Sequence, residues 1–303
     1  MEKSDWIWLD GRLVPWAEAN VHVLTHTLHY GLGVFEGIRC YRQEGGGSAV
    51  FRLREHNRRL FESSHILGLE VPFAEDEVLA ACVATIRRNR LDECYVRPLV
   101  FRGEGEMGLK ATNPVRVAIA VWQWGAYLGD EGLRNGIVVK TSSFQRIHGN
   151  THLSKAKAVG NYVNSILASH EAIAAGADEA LLLDTEGFVA EGSGENVFIA
   201  RDGVIRTPST DAILPGITRD TALALLRDAG REIREERITR DEVYIADEAF
   251  FTGTAAEITP IRELDCRRIG KGAPGPVTAA LQQAFFDAAR GRDERYRHWL
   301  TPV

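Results

Sequence analysis

Lysine is scarce in this sequence, so chemistry that needs a primary amine has few candidate residues. The lysines among the 36 basic residues are Lys3, Lys110, Lys140, Lys155, Lys157 and Lys271. A lysine that attacks an aldehyde must populate its neutral amine near pH 7, which partial burial or a neighbouring positive charge favours. Lys155 and Lys157 fit this by location, although solvated loop lysines are the ordinary alternative. Residues 157–162 favour Lys157, because the small residues after it admit a planar ring and Tyr162 supplies a phenol.

An acidic residue, Glu191, ends a predicted apolar strand just before the turn Gly192-Ser193-Gly194. A solvated turn carboxylate is a common outcome, whereas a buried carboxylate is stable opposite a cation such as a protonated pyridine nitrogen. The glycines do not form a G-x-G-x-x-G motif, since Val197 takes the last position and a strand follows instead of a helix. A dinucleotide site of that kind is therefore rejected.

Two segments offer backbone N–H groups to an anion such as phosphate. Gly216, Ile217 and Thr218 begin a predicted helix, and residues 252–256, with the sequence TGTAA, form a second turn. An ordinary helix cap or tight turn explains either segment when it is taken alone. Their occurrence together with Lys157 and Glu191 is less ordinary and favours a phosphate-binding site.

Residues that could bind a metal ion occur without ligand-like spacing. His22, His26 and His29 lie near one another, but a polar loop or core histidines explain them better than a metal site. The cysteines are scattered, with no C-x-x-C pair, at Cys40, Cys82, Cys94 and Cys266. We predict no metal site and free, mostly buried thiols.

The first half of the chain reads as an α/β domain. Asp10-Gly11 predicts a hairpin turn, and the pattern predicts helices over 54–67 and 75–89. In the second helix Val78, Cys82 and Ile86 share one stripe. The strands of the predicted sheet are rich in β-branched and aromatic residues, at 34–35, 49–51, 95–101 and 115–122.

The second half predicts a barrel-like domain. Residues 125–132 are glycine-rich and predict an interdomain linker, and a helix is predicted from about 158 to Ala175 with Lys157 at its start. Asp202-Gly203 predicts another hairpin, and Thr239 with Glu242 forms a capping box. The remaining predicted elements are strands at 137–142, 180–183, 188–190 and 197–200, a helix ending near Gly230 and a helix at 276–290. Short strands joined by such turns favour antiparallel pairing.

Length and composition limit the class of protein. At 303 residues the chain is long for one core, so we predict two domains with a cleft: 1–124, an interdomain loop at 125–136, and 137–303. Hydrophobic residues at 45% and charged residues at 26% are typical of globular proteins. A net charge of −6 gives no sign of nucleic-acid binding, so a small-molecule partner is expected. No segment approaches the roughly 20 apolar residues that span a bilayer, which predicts a cytoplasmic protein without a membrane partner.

Eight stretches occur in the order typical of one known family. They are LHYGLGVFEGIRCY at 28–41, FRLREH at 51–56, YVRPL at 95–99, WGAYLG at 124–129, KAVGNY at 157–162, EGSGENVF at 191–198, LPGITRD at 214–220 and GTAAEITP at 253–260. Over nearly its whole length the chain resembles the fold-type IV pyridoxal-phosphate enzymes, and among them the branched-chain amino acid aminotransferases. The resemblance implies an α/β (α+β) fold. Its smaller N-terminal α/β domain and larger C-terminal pseudo-barrel domain would hold the cofactor in the cleft between them.

The resemblance also implies how pyridoxal 5′-phosphate is bound. Lys157 would carry it as a Schiff base and move the proton between the substrate Cα and the cofactor C4′. Glu191 would keep the pyridine nitrogen protonated, so that the ring accepts electrons from the reacting carbon. The other cofactor-binding residues implied are Tyr162 at the ring hydroxyl and, at the phosphate, Arg54, Ile217, Thr218 and Thr254.

The implied substrate pocket serves two substrates. The substrate carboxylate would lie against Ala255, Ala256 and Tyr95, and Arg97 would bind the second carboxylate of glutamate. The residues implied to line the side-chain pocket are Tyr30, Phe35, Gly37, Met107, Leu109, Trp124 and Tyr127. Of these, Tyr30 and Leu109 would come from a neighbouring subunit, which implies a homodimer or a larger homo-oligomer.

The activity implied is ping-pong transamination of L-leucine, L-isoleucine and L-valine with 2-oxoglutarate, which gives branched-chain 2-oxo acids and L-glutamate. Relatives that act on D-amino acids, (R)-amines or aminodeoxychorismate would use Lys157 and Glu191 equally, but the YVRPL and FEGIRCY stretches argue against them. A non-catalytic ligand-binding or assembly protein is a third alternative. The intact set Lys157, Glu191, Tyr162 and Arg54 argues against it.

Overall fold

The computed structural model describes residues 3–125 and 128–303. The strands are β1 Trp6–Leu9, β2 Arg12–Pro15, β3 Gly33–Phe35, β4 Ile38–Arg42, β5 Ser48–Phe51, β6 Cys94–Arg102, β7 Val115–Trp122, β8 Ile137–Thr141, β9 Glu179–Leu183, β10 Val189–Gly192, β11 Asn196–Arg201, β12 Val204–Thr207, β13 Glu232–Glu235, β14 Glu248–Gly253, β15 Glu257–Leu264, β16 Arg267–Arg268 and β17 Leu300–Pro302. The α-helices are α1 His26–Tyr30, α2 Leu53–Ile66, α3 Glu75–Asn89, α4 Gly129–Asn135, α5 Tyr162–Ala174, α6 Ile217–Asp228, α7 Arg240–Tyr244 and α8 Pro276–Ala289. No helix of the described ranges is long and apolar enough to cross a bilayer.

The chain forms two compact units. The first unit contains Met1–Trp124, Ala156–Gly160 and Asp287–Val303, and the second contains Gly125–Lys155 and Asn161–Phe286. The segment with Lys157 therefore belongs to the first unit, although most of the residues around it in sequence belong to the second. The predicted domain limits, 1–124 and 137–303 with an interdomain loop at 125–136, stay a prediction.

An antiparallel sheet forms the first unit, in the order β17-β5-β4-β6-β7-β1-β2, and β3 also pairs with β6. The predicted turn is confirmed, because Asp10 and Gly11 have φ of 47° and 91°, as a tight hairpin between β1 and β2 requires. Helix α3 matches its predicted limits, and its stripe Val78, Cys82 and Ile86 is fully buried in the core of this unit. Burial of this apolar stripe stabilises the helix against the sheet.

The second unit contains a closed ring of strands. The order is β10-β9-β8-β15-β14-β11-β12-β13, and a further pairing of β10 with β11 closes the first six into a ring. The barrel-like prediction is confirmed, and so is antiparallel pairing of the short strands joined by turns, since β10 runs antiparallel to both β9 and β11. Strand β8, for which no pairing was predicted, runs parallel to both β9 and β15. Helix α5 connects β8 to β9 in chain order, and a crossover of that kind permits parallel pairing.

Part of the predicted linker is helical. Helix α4 spans Gly129–Asn135, within the segment 125–136 that was predicted as an interdomain loop. Asp130 and Glu131 lie in its first turn, where their negative charges interact favourably with the positive end of the helix dipole and stabilise the helix. Gly136 ends the helix with a φ of 81°, which only glycine adopts readily.

Candidate active site

The Lys157 segment pairs with strand β3, so the predicted helix start at about 158 is wrong. Ala158 forms an isolated antiparallel bridge with Val34, and Phe35 N donates to Lys157 O at 3.1 Å. The amide of Val159 likewise donates to a strand-side carbonyl, Gly33 O, at 2.8 Å. Because these backbone groups pair with β3, they cannot make helical bonds, and helix α5 begins only at Tyr162.

Two cationic side chains of the first unit lie near the Phe35 ring. The Lys157 Nζ lies 5.2 Å from the ring centroid, and the Arg97 Cζ lies 4.7 Å from it. The Lys157 backbone is fixed from a second direction, since its N–H donates to Ser63 Oγ at 3.1 Å. The amine is therefore carried by a segment that is hydrogen-bonded both to the β3 strand and to helix α2.

Arg97 lies in a box of aromatic rings formed by Phe35, Tyr95 and Trp122, and one of its hydrogen-bond donors has no partner in the described part of the chain. Its Cζ lies 5.3 Å from the Tyr95 ring centroid and 5.6 Å from that of Trp122, and Nη2 donates to Tyr95 Oη at 3.4 Å. Its Nε is buried and has no hydrogen-bond partner among the described residues. A buried donor on a cation that lacks an acceptor is costly, so the box is suited to an anionic ligand.

Gly37 lies directly against Tyr95. A Cβ built on Gly37 would overlap the hydroxyl oxygen of Tyr95, so no larger residue fits while that phenol stays in place. The Tyr95 ring also contacts Trp124, with centroids 4.6 Å apart. The structure thus brings together Phe35, Gly37, Tyr95, Arg97 and Trp124 within the first unit, as the resemblance implies.

A buried ion cluster centred on Glu36 was not predicted from the sequence. Glu36 lies between Phe35 and Gly37 and is fully buried. It accepts two hydrogen bonds from Arg59, at 2.7 and 2.9 Å, and its Oε2 lies 2.7 Å from His56 Nδ1. Burial would raise the pKa of Glu36, but the charges and hydrogen bonds of Arg59 and His56 hold it far below its usual value. Burial lowers the pKa of His56 in spite of Glu36. The sequence offered one sign of this cluster, since the acidic residue Glu36 lies between two predicted pocket residues, Phe35 and Gly37.

In the second unit the carboxylate of Glu191 is almost fully buried, at 6% exposure, and has a partner on each oxygen. Arg146 Nε donates to Oε1, and Asn196 Nδ2 donates to Oε2 at 3.1 Å. The strand prediction for Glu191 is confirmed, since it lies within β10, paired with Asn196 of β11. Arg146 and Asn196 were not singled out from the sequence. Tyr162, half-buried, is the first residue of α5.

Both segments that were predicted to bind an anion lie in the second unit. Ile217 and Thr218, both buried, form the first turn of α6, and Gly216 caps the helix without a side-chain hydrogen bond. The amides of a first helical turn have no partner within the helix, so they are free to bind an anion. Thr254, Ala255 and Ala256 form the turn between β14 and β15. This second turn therefore also presents main-chain groups and a hydroxyl.

The other predicted residues lie at the surface of the first unit. Arg54 is exposed in the first turn of α2. Tyr30 and Met107 are each 43% exposed, and Leu109 is 90% exposed. Tyr127 lies outside the described residues. The rings of His26 and His29 contact the carbonyl oxygens of Gly108 and Val23, at 2.9 and 2.8 Å, so they brace loops.

Comparison with known proteins identifies the class. The family model described as Amino-transferase class IV matches residues 33–264. A protein of Pseudomonas aeruginosa named branched-chain-amino-acid aminotransferase is 57% identical, over 98% of this chain and 97% of that protein. Crystal structures of the T.th. branched-chain amino acid aminotransferase, one with pyridoxamine 5′-phosphate and one with N-(5′-phosphopyridoxyl)-L-glutamate, each match with a TM-score of 0.96 and 49% identity, over 100% of this chain and 99% of theirs. The chain belongs to the class IV aminotransferase family.

Proposed function

We propose that this protein transfers the amino group of L-leucine, L-isoleucine and L-valine to 2-oxoglutarate with pyridoxal 5′-phosphate as cofactor. The observation that carries the proposal is the Arg97 box: an arginine whose buried Nε has no partner in the described part of the chain, enclosed by the apolar faces of Phe35, Tyr95 and Trp122. Apolar walls suit an aliphatic side chain, and the guanidinium suits the second carboxylate of glutamate. The names of the relatives support the same activity.

The chain has residues whose charges and hydrogen-bonding groups suit each part of the cofactor. A buried carboxylate, at Glu191, suits a protonated pyridine nitrogen, and the first turn of α6 suits a phosphate dianion. We assign Lys157 Nζ to the aldehyde carbon. The further residues that would hold the cofactor are Tyr162 at the ring hydroxyl and Arg54, Ile217, Thr218 and Thr254 at the phosphate. When bound, the cofactor supplies an electron sink for the bond broken at the substrate Cα.

The chain's own residues bind the substrate and move the proton. Lys157 takes the proton from the substrate Cα, and its fixed backbone limits the positions that the amine reaches. The turn with Ala255 and Ala256, together with Tyr95, binds the carboxylate common to all substrates. Arg97 binds the second carboxylate of 2-oxoglutarate and glutamate. The side-chain pocket would be lined by Tyr30, Phe35, Gly37, Met107, Leu109, Trp124 and Tyr127.

The test is an assay of the purified protein with L-leucine and 2-oxoglutarate, in which glutamate and the leucine-derived 2-oxo acid should form in equal amounts. D-leucine and an (R)-amine serve as comparison donors and should give no product. Activity with the D-donor but not with L-leucine would replace this function with the D-amino acid alternative, which no observation on the molecule favours. Absence of any amino transfer would refute the whole assignment.

Gly37→Ala is expected to lower kcat/KM for both leucine and glutamate by about 10²-fold, because the added methyl forces the Tyr95 hydroxyl out of place and a displacement of about 1 Å in an active site costs that much. Steady-state kinetics measure the effect. The matched control is Gly45→Ala, since no atom of residues 3–125 or 128–303 lies within 4 Å of a Cβ built there. Equal kinetics for the two variants would show that the position of Tyr95 does not matter.

We further propose that a second copy of the chain completes the pocket with Tyr30 and Leu109. Leu109 is 90% exposed at a loop held by Asn113, whose side chain donates to Gly103 O and Glu106 O at 3.0 Å each. An apolar tip on a braced loop suits a protein interface. The exposed apolar stripe Val163, Ile166 and Ile173 on α5 adds to the surface available to a partner. The cytoplasmic location stays a prediction.

Leu109→Asp is expected to weaken this association and to lower activity in proportion to the loss of dimer, because a charge would be buried at the interface. Light scattering with size-exclusion chromatography measures the mass against the 33.5 kDa of one chain. The control is Lys110→Asp, which places the same charge on the next residue. If the Leu109→Asp or the Lys110→Asp variant were a fully active monomer, the pocket would not be completed by a second copy of the chain.

A further inference from the structure

Asn196 contacts both parts of the second unit to which the cofactor is assigned. Its Nδ2 donates to Glu191 Oε2 at 3.1 Å and to Leu214 O at 3.0 Å. Leu214 lies two residues before Gly216, the cap of α6. The side chain is 4% exposed, so these bonds form out of water, where geometry is strictly held. One amide group therefore joins the Glu191 carboxylate to the chain that enters the phosphate-binding helix.

The glycine at position 216 is explained by the same contact. A Cβ built on Gly216 would overlap Asn196 Oδ1, although φ and ψ of −68° and 136° suit any residue. Glycine is thus needed here for the approach of Asn196 and not for the backbone conformation. Asn196 consequently contacts the cap of α6 itself as well as the segment before it.

Arg146 holds the other oxygen of the Glu191 carboxylate. Its Nε donates to Oε1, whereas Asn196 donates to Oε2. Arg146 is 9% exposed, and its Nη1 donates to Asn164 Oδ1 at 3.4 Å, so it is itself held on α5. Charge-assisted hydrogen bonds of this kind fix orientation as well as contribute energy. Two donors from different parts of the second unit therefore orient the carboxylate.

We propose that Asn196 is a positioning residue that sets the distance between Glu191 and the start of α6, and so matches the ring nitrogen of the cofactor to its phosphate. The inference rests on the proposed function, which assigns those two groups to the two positions. A rigid ligand held at two points binds tightly only when the points are correctly spaced. Asn196 has the contacts to fix that spacing, because it is hydrogen-bonded to both sides and packed against Gly216.

The test is a cycle of three variants: Asn196→Ala, Gly216→Ala and the double variant. The readouts are the dissociation constant of pyridoxal 5′-phosphate and the pH dependence of the visible absorption of the bound cofactor, which senses the ring and not the phosphate. Asn196→Ala is expected to weaken cofactor binding by about tenfold or more, since it removes a hydrogen bond to a buried charged group. Gly216→Ala, although it lies at the phosphate side, is expected to shift the absorption titration as well.

In the double variant the added methyl has space, so its effect on cofactor binding and on the absorption titration should largely disappear. The matched control is Asn89→Ala. Asn89 also donates to two carbonyl oxygens, Trp6 O at 2.9 Å and Thr85 O at 2.8 Å, but contacts neither Glu191 nor α6. It should lose stability and keep the wild-type dissociation constant.

Two outcomes would overturn the inference while leaving the proposed function intact: strictly additive effects of Asn196→Ala and Gly216→Ala, or a wild-type absorption titration in Gly216→Ala. Failure of the proposed function would look different, because the wild-type protein would then bind no cofactor at all. Thermal unfolding without cofactor separates simple misfolding from both cases, and variants that unfold at the wild-type temperature yet bind weakly support the positioning role.

Discussion

Lys157→Ala is expected to lower kcat/KM for leucine by about 10⁴-fold, because it removes a general acid–base group, worth about 10²–10⁴-fold by itself, together with the covalent attachment of the cofactor. The fold should survive, since the contacts that fix the segment use the Lys157 backbone. The measurements are steady-state kinetics and borohydride reduction followed by peptide mass spectrometry. The wild-type protein should carry the reduced cofactor on Lys157 alone.

Lys155→Arg is the matched control for this experiment. Lys155 donates to the carbonyl oxygens of Thr210 and Ile213, and an arginine keeps those donors while removing the primary amine. We expect activity within about threefold of wild type, as for a substitution outside the site. A label on Lys155, or a Lys157→Ala protein that transaminates at the full rate, would show that a residue other than Lys157 performs the chemistry.

Arg97→Met is expected to separate the two half-reactions. The half-reaction with 2-oxoglutarate should slow by about 10²-fold or more, because each hydrogen bond to a charged group contributes about 1.5–3 kcal/mol and a guanidinium makes two to a carboxylate. The half-reaction with leucine, which has no second carboxylate, should change by only a few fold. Stopped-flow absorbance of the bound cofactor under single-turnover conditions measures each rate.

The control for Arg97 is Arg116→Met. Arg116 also lies over a phenylalanine, with its Cζ 5.6 Å from the Phe101 ring, but its Nε donates to Asp10 at 2.7 Å. Its replacement should reduce stability slightly and leave both half-reactions unchanged. If Arg97→Met slowed leucine and 2-oxoglutarate equally, the arginine would be a structural residue of the pocket and the two-substrate proposal would fail.

Local signals in the sequence predicted much of the secondary structure. Helix α3 has the limits given by its apolar stripe, and the Asp10-Gly11 and Asp202-Gly203 turns have the positive φ that their residue types favour. The helix after Lys157 was predicted four residues too early, because Ala158 bonds to a strand more than 120 residues away in the chain. No local pattern encodes such a pairing, and the parallel partners of β8 were missed for the same reason.

The reactive groups of the candidate site were accessible from the sequence, but the residues that hold them were not. Lys157 and Glu191 stand out by type and by neighbouring glycines. Arg146 lies 45 residues before Glu191, and Arg59 lies 23 residues after Glu36, so neither pair is visible before the chain is folded. The Asn196 side chain is nearer to Glu191, yet its second bond, to Leu214, depends on where α6 begins.

The ring of strands in the second unit is closed at its weakest pairing. β14 pairs with both β11 and β15 over five residues each, whereas β10 meets β11 through the single register pair Glu191 and Asn196. Opening the barrel there breaks the fewest backbone hydrogen bonds, so amide protons on either side should exchange with solvent early. A ligand bound to Glu191 stabilises only the closed barrel and slows this exchange. Loss of the vitamin-derived cofactor would then be a step toward unfolding as well as a loss of activity.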